Sequence, residues 1–313
     1  MKSDCLRLLP KLFVLLAMIG CARAEQQPTY DLVEVPFLTN REASVNRKGQ
    51  LRFSADRAET TGGRCKLRVY ELPDAEVVVD AFEALTADAA IGELESEDSQ
   101  RVTLYVHGYN IGLERACRDA AVLARRTGFE GRTLLFSWPA SRTVITYHKD
   151  AGRFAASMPQ IFDALDELGR RYGRSNVNIV AHSMGSRLVR DAVRLIDMSK
   201  GRFGELVLIA PDVDRDAFVD ALPDLERLVE DITVLVSNDD RLLLLSQTVN
   251  LGARLGQAGG EEIDGVDVID VTGLEDAGFG GHLYHLTNEA VGGVIGSILN
   301  GQLRDDGGNS ALD

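Results

Sequence analysis

The chain has 313 residues, with 34 Lys and Arg against 48 Asp and Glu, a formal charge of −14; 45% of residues are apolar and 26% charged. That mixture belongs to a folded globular chain and excludes a disordered or collagen-like one. The length allows one large domain or two small ones at about 150 residues each, and the acidity argues against nucleic-acid binding and against electrostatic docking to an anionic membrane.

Residues 1–24 are set apart from the fold. Lys2, Arg7 and Lys11 make a positive start, and Leu12–Ile19 is an apolar run too short for a bilayer span of about 20 residues. Ala22-Arg23-Ala24 then offers a small-residue cleavage site before Glu25, the pattern of a secretory signal peptide. Met18-Ile19-Gly20-Cys21 also resembles a bacterial lipoprotein box, in which Cys21 becomes the lipidated N-terminus. On either reading the protein is exported to a bacterial cell envelope, periplasmic or lipid-anchored. Its only membrane contact would be that anchor. Loss of the leader removes four cations and one anion, leaving −17. Cys65 and Cys117 remain as ordinary side chains; nothing in the sequence brings their Cβ atoms together, so two unpaired thiols are expected.

Residues 25–100 read as strands and turns packing onto a sheet, with short strands at Val33–Phe37 and Lys66–Glu71 and turns at Gly49, Gly62 and Gly63. Residues 101–302 alternate regularly. Strands are expected at Val102–Val106, Arg132–Phe136, Val177–Val180, Leu206–Ile209, Ile232–Val236 and Val266–Val271. Helices are expected at Glu114–Arg126, Pro159–Arg171, Ser186–Met198, Asp216–Glu230 and Glu289–Leu299, and 303–313 reads as a flexible tail. Short apolar runs alternating with helices predict an α/β fold, a mostly parallel sheet covered on both faces. Trp138 is expected in the core, Tyr147 and His148 in a solvated loop, and Leu242–Leu245 on a helix buried against the sheet, not on a lipid-binding surface.

In such sheets chemistry gathers at the carboxyl ends of the strands. After Val177–Val180 comes Ala181-His182-Ser183-Met184-Gly185, followed by a helix. This is the strand–turn–helix setting of the G-x-S-x-G nucleophile elbow, with Ala181 in place of the first Gly. Ser183 is therefore the candidate nucleophile. It needs a base, and the chain has five His. His182 neighbours Ser183 and points away from it, His107 comes too early, and His148 has no strand end to fix it. His282 and His285 follow the last strand; the glycines before His282 favour it as base, with His285 the alternative. The acid should follow a strand between the two. Asp240 leads, ahead of Asp239, Asp212 and Asp214, because a carboxylate must fix the imidazole tautomer. The oxyanion hole is assigned to the backbone N–H of Met184 and, after His107-Gly108, that of Tyr109.

Tyr105-Val106-His107-Gly108-Tyr109-Asn110, Phe136-Ser137-Trp138-Pro139, Ala181-His182-Ser183-Met184-Gly185-Ser186-Arg187, Ala210-Pro211-Asp212-Val213-Asp214 and Gly281-His282-Leu283-Tyr284 occur in this order. Together they resemble a family of bacterial α/β-hydrolases of unknown function in the esterase/lipase superfamily. Pro36-Phe37-Leu38-Thr39-Asn40-Arg41 resembles its N-terminal signature. The resemblance implies an α/β-hydrolase fold, Ser183 as nucleophile, His282 as base and an acid in the Ser-x-x-Asp segment, matching Asp240. Two motifs depart: Asp-x-Ala-Leu reads Asp240-Arg241-Leu242-Leu243, and His-Ser-Tyr reads His282-Leu283-Tyr284. The expectation is a serine hydrolase for carboxylic esters, working through an acyl-enzyme on a small-molecule ester or acyl substrate, without metal or organic cofactor. Thioesterase, peptidase or acyltransferase chemistry, or an idle hydrolase fold kept as an envelope binding protein, are the alternatives.

Overall fold

Val102–Val106 is buried along its whole length, as a strand covered on both faces must be, and it forms the centre of the sheet. The computed structural model describes residues 29–70, 76–141, 146–188, 196–250, 252–274 and 278–302. The leader with Cys21 and the tail lie outside these residues. Nine strands are described: β1 (Tyr30–Val45), β2 (Leu51–Tyr70), β3 (Val77–Leu85), β4 (Val102–Val106), β5 (Arg132–Ser137), β6 (Val177–His182), β7 (Phe203–Ile209), β8 (Val229–Val236) and β9 (Asp267–Asp270). They lie in the order β3-β2-β1-β5-β4-β6-β7-β8-β9. From β1 to β9 every neighbouring pair is parallel; β2 and β3 are added antiparallel at one edge.

Strand residues alternate between two cores, as the period of two requires. Leu104, Val106 and Leu208 face α3 (Tyr147–Tyr172) and α4 (Arg215–Leu228), which contribute Ile161, Leu165, Leu168 and Phe218. Tyr105, Val180, Val207 and Leu235 face α2 (Leu113–Thr127) and α7 (Glu289–Leu299), which contribute Leu113, Ala116, Val291 and Ile295. Short helices α1 (Ala87–Gly92) and α6 (Tyr284–Thr287) and the helix α5 (Arg241–Asn250) complete the described elements named here.

Several expectations need correcting. Gly62 and Gly63 are not turns but lie inside β2, where a side chain would have no room. A methyl group on Gly62 would sit 2.7 Å from Ala90 Cβ, and one on Gly63 2.3 Å from the Phe37 ring. Cys65 and Cys117 are not free thiols: they form a disulfide joining β2 to α2, with Cα atoms 6.3 Å apart. The long β1–β2 hairpin carries Cys65 beneath α2, a register the sequence does not disclose. Tyr147 and His148 are not in a loop but in the first turn of α3, which begins 12 residues before Pro159. That extension is held by burial of Phe154 and by buried Asp150, which accepts hydrogen bonds from the Ser141 N–H at 2.9 Å and the Ser141 hydroxyl at 2.7 Å.

Candidate active site

Loops from the carboxyl ends of β4, β6, β7, β8 and β9 converge on Ser183. Its backbone is left-handed, φ +54°, a conformation that costs a non-glycine residue about 1–3 kcal/mol. Ser183 opens a 3₁₀ turn, Ser183–Leu188, directly after β6; residues 189–195 of the predicted helix lie outside the described residues. The N–H of Asp212 donates to the Ser183 carbonyl at 3.2 Å, and the Ser186 hydroxyl donates to the Ala181 carbonyl at 3.1 Å. From the other side Gly108 presses against the turn. A methyl group there would lie 2.9 Å from Ser183 Cβ and 3.1 Å from His182 Nδ1, so only glycine lets the two loops meet.

The imidazole of His282 donates from Nδ1 to Asp240 Oδ2 at 2.6 Å. Asp240 is fully buried at the start of α5, and its other oxygen accepts the N–H groups of Leu242 and Leu243, both at 3.0 Å. A carboxylate only accepts, so the ring proton is fixed on Nδ1 and Nε2 is left basic. The segment carrying the ring is pinned by Tyr284, whose hydroxyl accepts from the Ala210 N–H at 2.8 Å and donates to the Leu235 carbonyl at 3.0 Å. Ser183 and His282 line one cavity of about 230 Å³, with Tyr109, Tyr147, Leu242 and Leu245 among its other walls. Among the described residues no hydrogen bond joins the Ser183 hydroxyl to His282, although both line the same cavity.

The family model for an alpha/beta hydrolase of unknown function (DUF900) matches residues 83–299, about two thirds of the chain. The chain belongs to this family. Its sheet, helices and topology are those of the α/β-hydrolase fold. Similar solved structures include a Pyrobaculum calidifontis esterase, 13% identical over 87% of this chain and 85% of that one, with a TM-score of 0.40. Carboxyl esterase 2 from Tuber melanosporum is 14% identical over 90% of this chain and 89% of that one, with a TM-score of 0.38. Among curated proteins none matches.

The other candidate residues of this hydrolase separate by their contacts. Asp239 accepts the Gly273 N–H at 2.9 Å, and Asp214 caps α4 through the Ala217 N–H at 3.2 Å. Asp212 forms a polar wall of the cavity. It accepts the Tyr147 hydroxyl at 2.6 Å, Arg187 Nη2 at 2.9 Å and the Ser246 hydroxyl at 2.5 Å. Asp240 is thus the one of the four that reaches the His282 ring. His285, the alternative base, is fully buried, packed at a 41° tilt against His182 with ring centroids 4.4 Å apart, and both its nitrogens are without a hydrogen-bond partner. Burial, and then the neighbouring His282, push its pKa down to about 3. His182 is held neutral by burial first and by His285 and His282 next; it donates from Nε2 to the His282 carbonyl at 3.1 Å. His148 is exposed.

His107 tunes the loop that carries Tyr109. Its Nδ1–H donates to the Gly108 carbonyl at 2.8 Å, while Nε2 accepts from the Ser137 hydroxyl at 3.2 Å. Arg41 Nε in turn donates to Ser137 Oγ at 3.0 Å, so the hydrogen-bond chain has one direction. In a planar trans peptide the Tyr109 N–H lies opposite the Gly108 carbonyl, hence on the side away from the imidazole. Burial, and then the charge of Arg41, lower the His107 pKa to about 3, so the ring stays neutral. Trp138 is in the core as expected, stacked on His107 at 5.3 Å and donating to its carbonyl at 2.8 Å. Arg41, from the Pro36–Arg41 signature, also holds the Ile111 and Ala140 carbonyls, at 2.7 and 3.1 Å. Sequence reasoning gave it no such part; an arginine beside an apolar strand run was the available signal.

Leu242–Leu245 corrects a further expectation. The run is helical, but only Leu243 is buried, at 1% exposure; Leu242, Leu244 and Leu245 are 39%, 47% and 61% exposed. α5 starts at the open carboxyl end of the sheet, so the remaining leucines face outward beside the cavity instead of into the core. Among the described residues no three His, Cys, Asp or Glu side chains gather in a way that could hold a metal ion.

Proposed function

We propose that this α/β hydrolase is a serine hydrolase of carboxylic esters. Ser183 attacks the ester carbonyl while His282 Nε2 takes its proton, and Asp240 stabilises the resulting imidazolium. The oxyanion is received by the N–H groups of Met184 and Tyr109. The alcohol leaves with the proton from His282, and water, activated by the same ring, releases the acid and restores Ser183. The observation that carries the reading is the 2.6 Å bond between His282 and Asp240 on the wall of a cavity that also holds the strained Ser183.

Export to a cell envelope belongs to the same proposal, with either cleavage after Ala24 or lipidation of Cys21. The disulfide supports it, because such bridges persist in oxidising compartments. The test is labelling of matured protein by a fluorophosphonate probe, together with hydrolysis of a short p-nitrophenyl ester. Both should vanish in Ser183→Ala. Failure of the parent protein to label sinks the proposal.

A further inference from the structure

The cavity is lined in part by Asp212, Tyr147 and Ser246, whose polar atoms are engaged with one another and with Arg187. Ile111, Leu242, Leu243 and Leu245 also line it and present hydrocarbon. Leu242 and Leu245 are also 39% and 61% exposed, so this apolar lining reaches the surface. Singly exposed leucines are ordinary, but Leu242 and Leu245 lie one helical turn apart, both line the cavity and both reach the surface, which makes a contiguous apolar strip. The same turn of α5 gives its Leu242 and Leu243 N–H groups to Asp240. The apolar wall is therefore fixed relative to the His282–Asp240 pair.

We infer that Leu242 and Leu245 are specificity-determining residues that receive an unbranched aliphatic acyl chain, its first carbons inside the cavity and its tail lying along the exposed leucines. The occupant is the acyl portion of the substrate, because the apolar strip is continuous with the cavity that holds Ser183. The inference rests on the ester-hydrolase reading. Burying each methylene along the wall should raise kcat/KM by roughly two- to fourfold.

The matured protein is assayed on p-nitrophenyl acetate, butyrate, hexanoate and octanoate, with fluorophosphonate labelling in parallel. The hexanoate-to-acetate ratio of kcat/KM should be at least about tenfold. In the double variant Leu242→Gln/Leu245→Gln that ratio should fall at least about fivefold, and in Leu245→Met it should stay near the parental value. A parental series that is flat or falls beyond acetate, or a ratio unmoved in the double variant, overturns the inference while leaving the serine hydrolase intact. Absence of labelling and of turnover on every ester overturns the ester reading and this inference with it.

Discussion

Replacing Asp240 with Asn keeps the shape of a fully buried side chain and changes which hydrogen bonds it can make. The native carboxylate accepts three: His282 Nδ1–H at 2.6 Å and the Leu242 and Leu243 N–H groups at 3.0 Å. An amide can accept on one side only. Turning its NH₂ toward the two backbone donors would strand both, at about 1–3 kcal/mol each. The amide oxygen therefore stays on Leu242 and Leu243 and the NH₂ faces His282. That donor can be satisfied only by a bare Nδ1, which moves the ring proton to Nε2, the atom proposed to take the Ser183 proton. Loss of the correct tautomer costs about 10⁴ in kcat, or about 5 kcal/mol of barrier. The Asp240→Asn variant, assayed on p-nitrophenyl butyrate, should show that loss with KM within about twofold, because no cavity wall has moved. Labelling by fluorophosphonate should slow in parallel. A kcat within tenfold of the parent refutes the reasoning, and the full loss appearing in Asp212→Asn instead would move the acid to β7.

In Gly108→Ala the new methyl group meets Ser183 Cβ at 2.9 Å and His182 Nδ1 at 3.1 Å, neither on a flexible side chain, so kcat/KM should fall at least about 100-fold; near-parental activity would show that the loops can separate. The Cys65–Cys117 bridge closes a separation of 52 residues, and removing it by Cys65→Ala/Cys117→Ala should cost about 4 kcal/mol in urea unfolding; thiol titration of matured, unreduced protein should find neither cysteine free. His107, His182 and His285 are folded with pKa values below the unfolded value of about 6.5, so between pH 7.5 and 5 the unfolded chain takes up protons that the folded chain refuses. Their stabilisation is full above pH 7 and is lost as the pH falls, on the order of 2 kcal/mol each by pH 5 for His107 and His285, with His182 acting in the same direction. Asp119, raised to about 6 by burial, acts with the opposite sign and returns on the order of 1 kcal/mol, so the urea midpoint should drop clearly at pH 5; an unchanged or higher midpoint contradicts the buried, neutral rings.

The hydrolase core was legible because each parallel strand is buried on both faces and writes an unbroken apolar run. Val102–Val106 and Glu289–Leu299 have the bounds read from the sequence, and Val177–Val180 extends only to His182. β1 and β2 were not legible at length, since one long hairpin has an exposed, charged far end around Arg52–Arg57 and two glycines inside the strand. Pro159 hid the first turns of α3, because proline reads as a helix start while tertiary burial of Phe154 carries the helix through it. The four aspartates after β7 and β8 looked alike because each follows a strand and each suits a turn. Only three-dimensional contact separates a helix cap from a wall residue and from the partner of an imidazole 42 positions away. The exposure of Leu242 and Leu245 was hidden for the same reason: a leucine run states that hydrocarbon must be covered, not what covers it.

The two buried carboxylates nearest the cavity also differ in kind, and the difference accounts for the geometry of Ser183. Asp240 spends its oxygens on one ring and two N–H groups, and so acts on protonation. Asp212 works through its backbone as well: its N–H holds the Ser183 carbonyl, its carbonyl accepts from Arg187 Nε at 3.1 Å, and its carboxylate gathers Arg187, Tyr147 and Ser246. The strained φ at Ser183 is worth about 1–3 kcal/mol, the scale of one or two such buried, charge-assisted bonds. The side chain of Arg187, four residues beyond Ser183, joins the two ends of that arrangement. Strain at the turn and order among the polar groups lining the cavity are therefore one structural commitment.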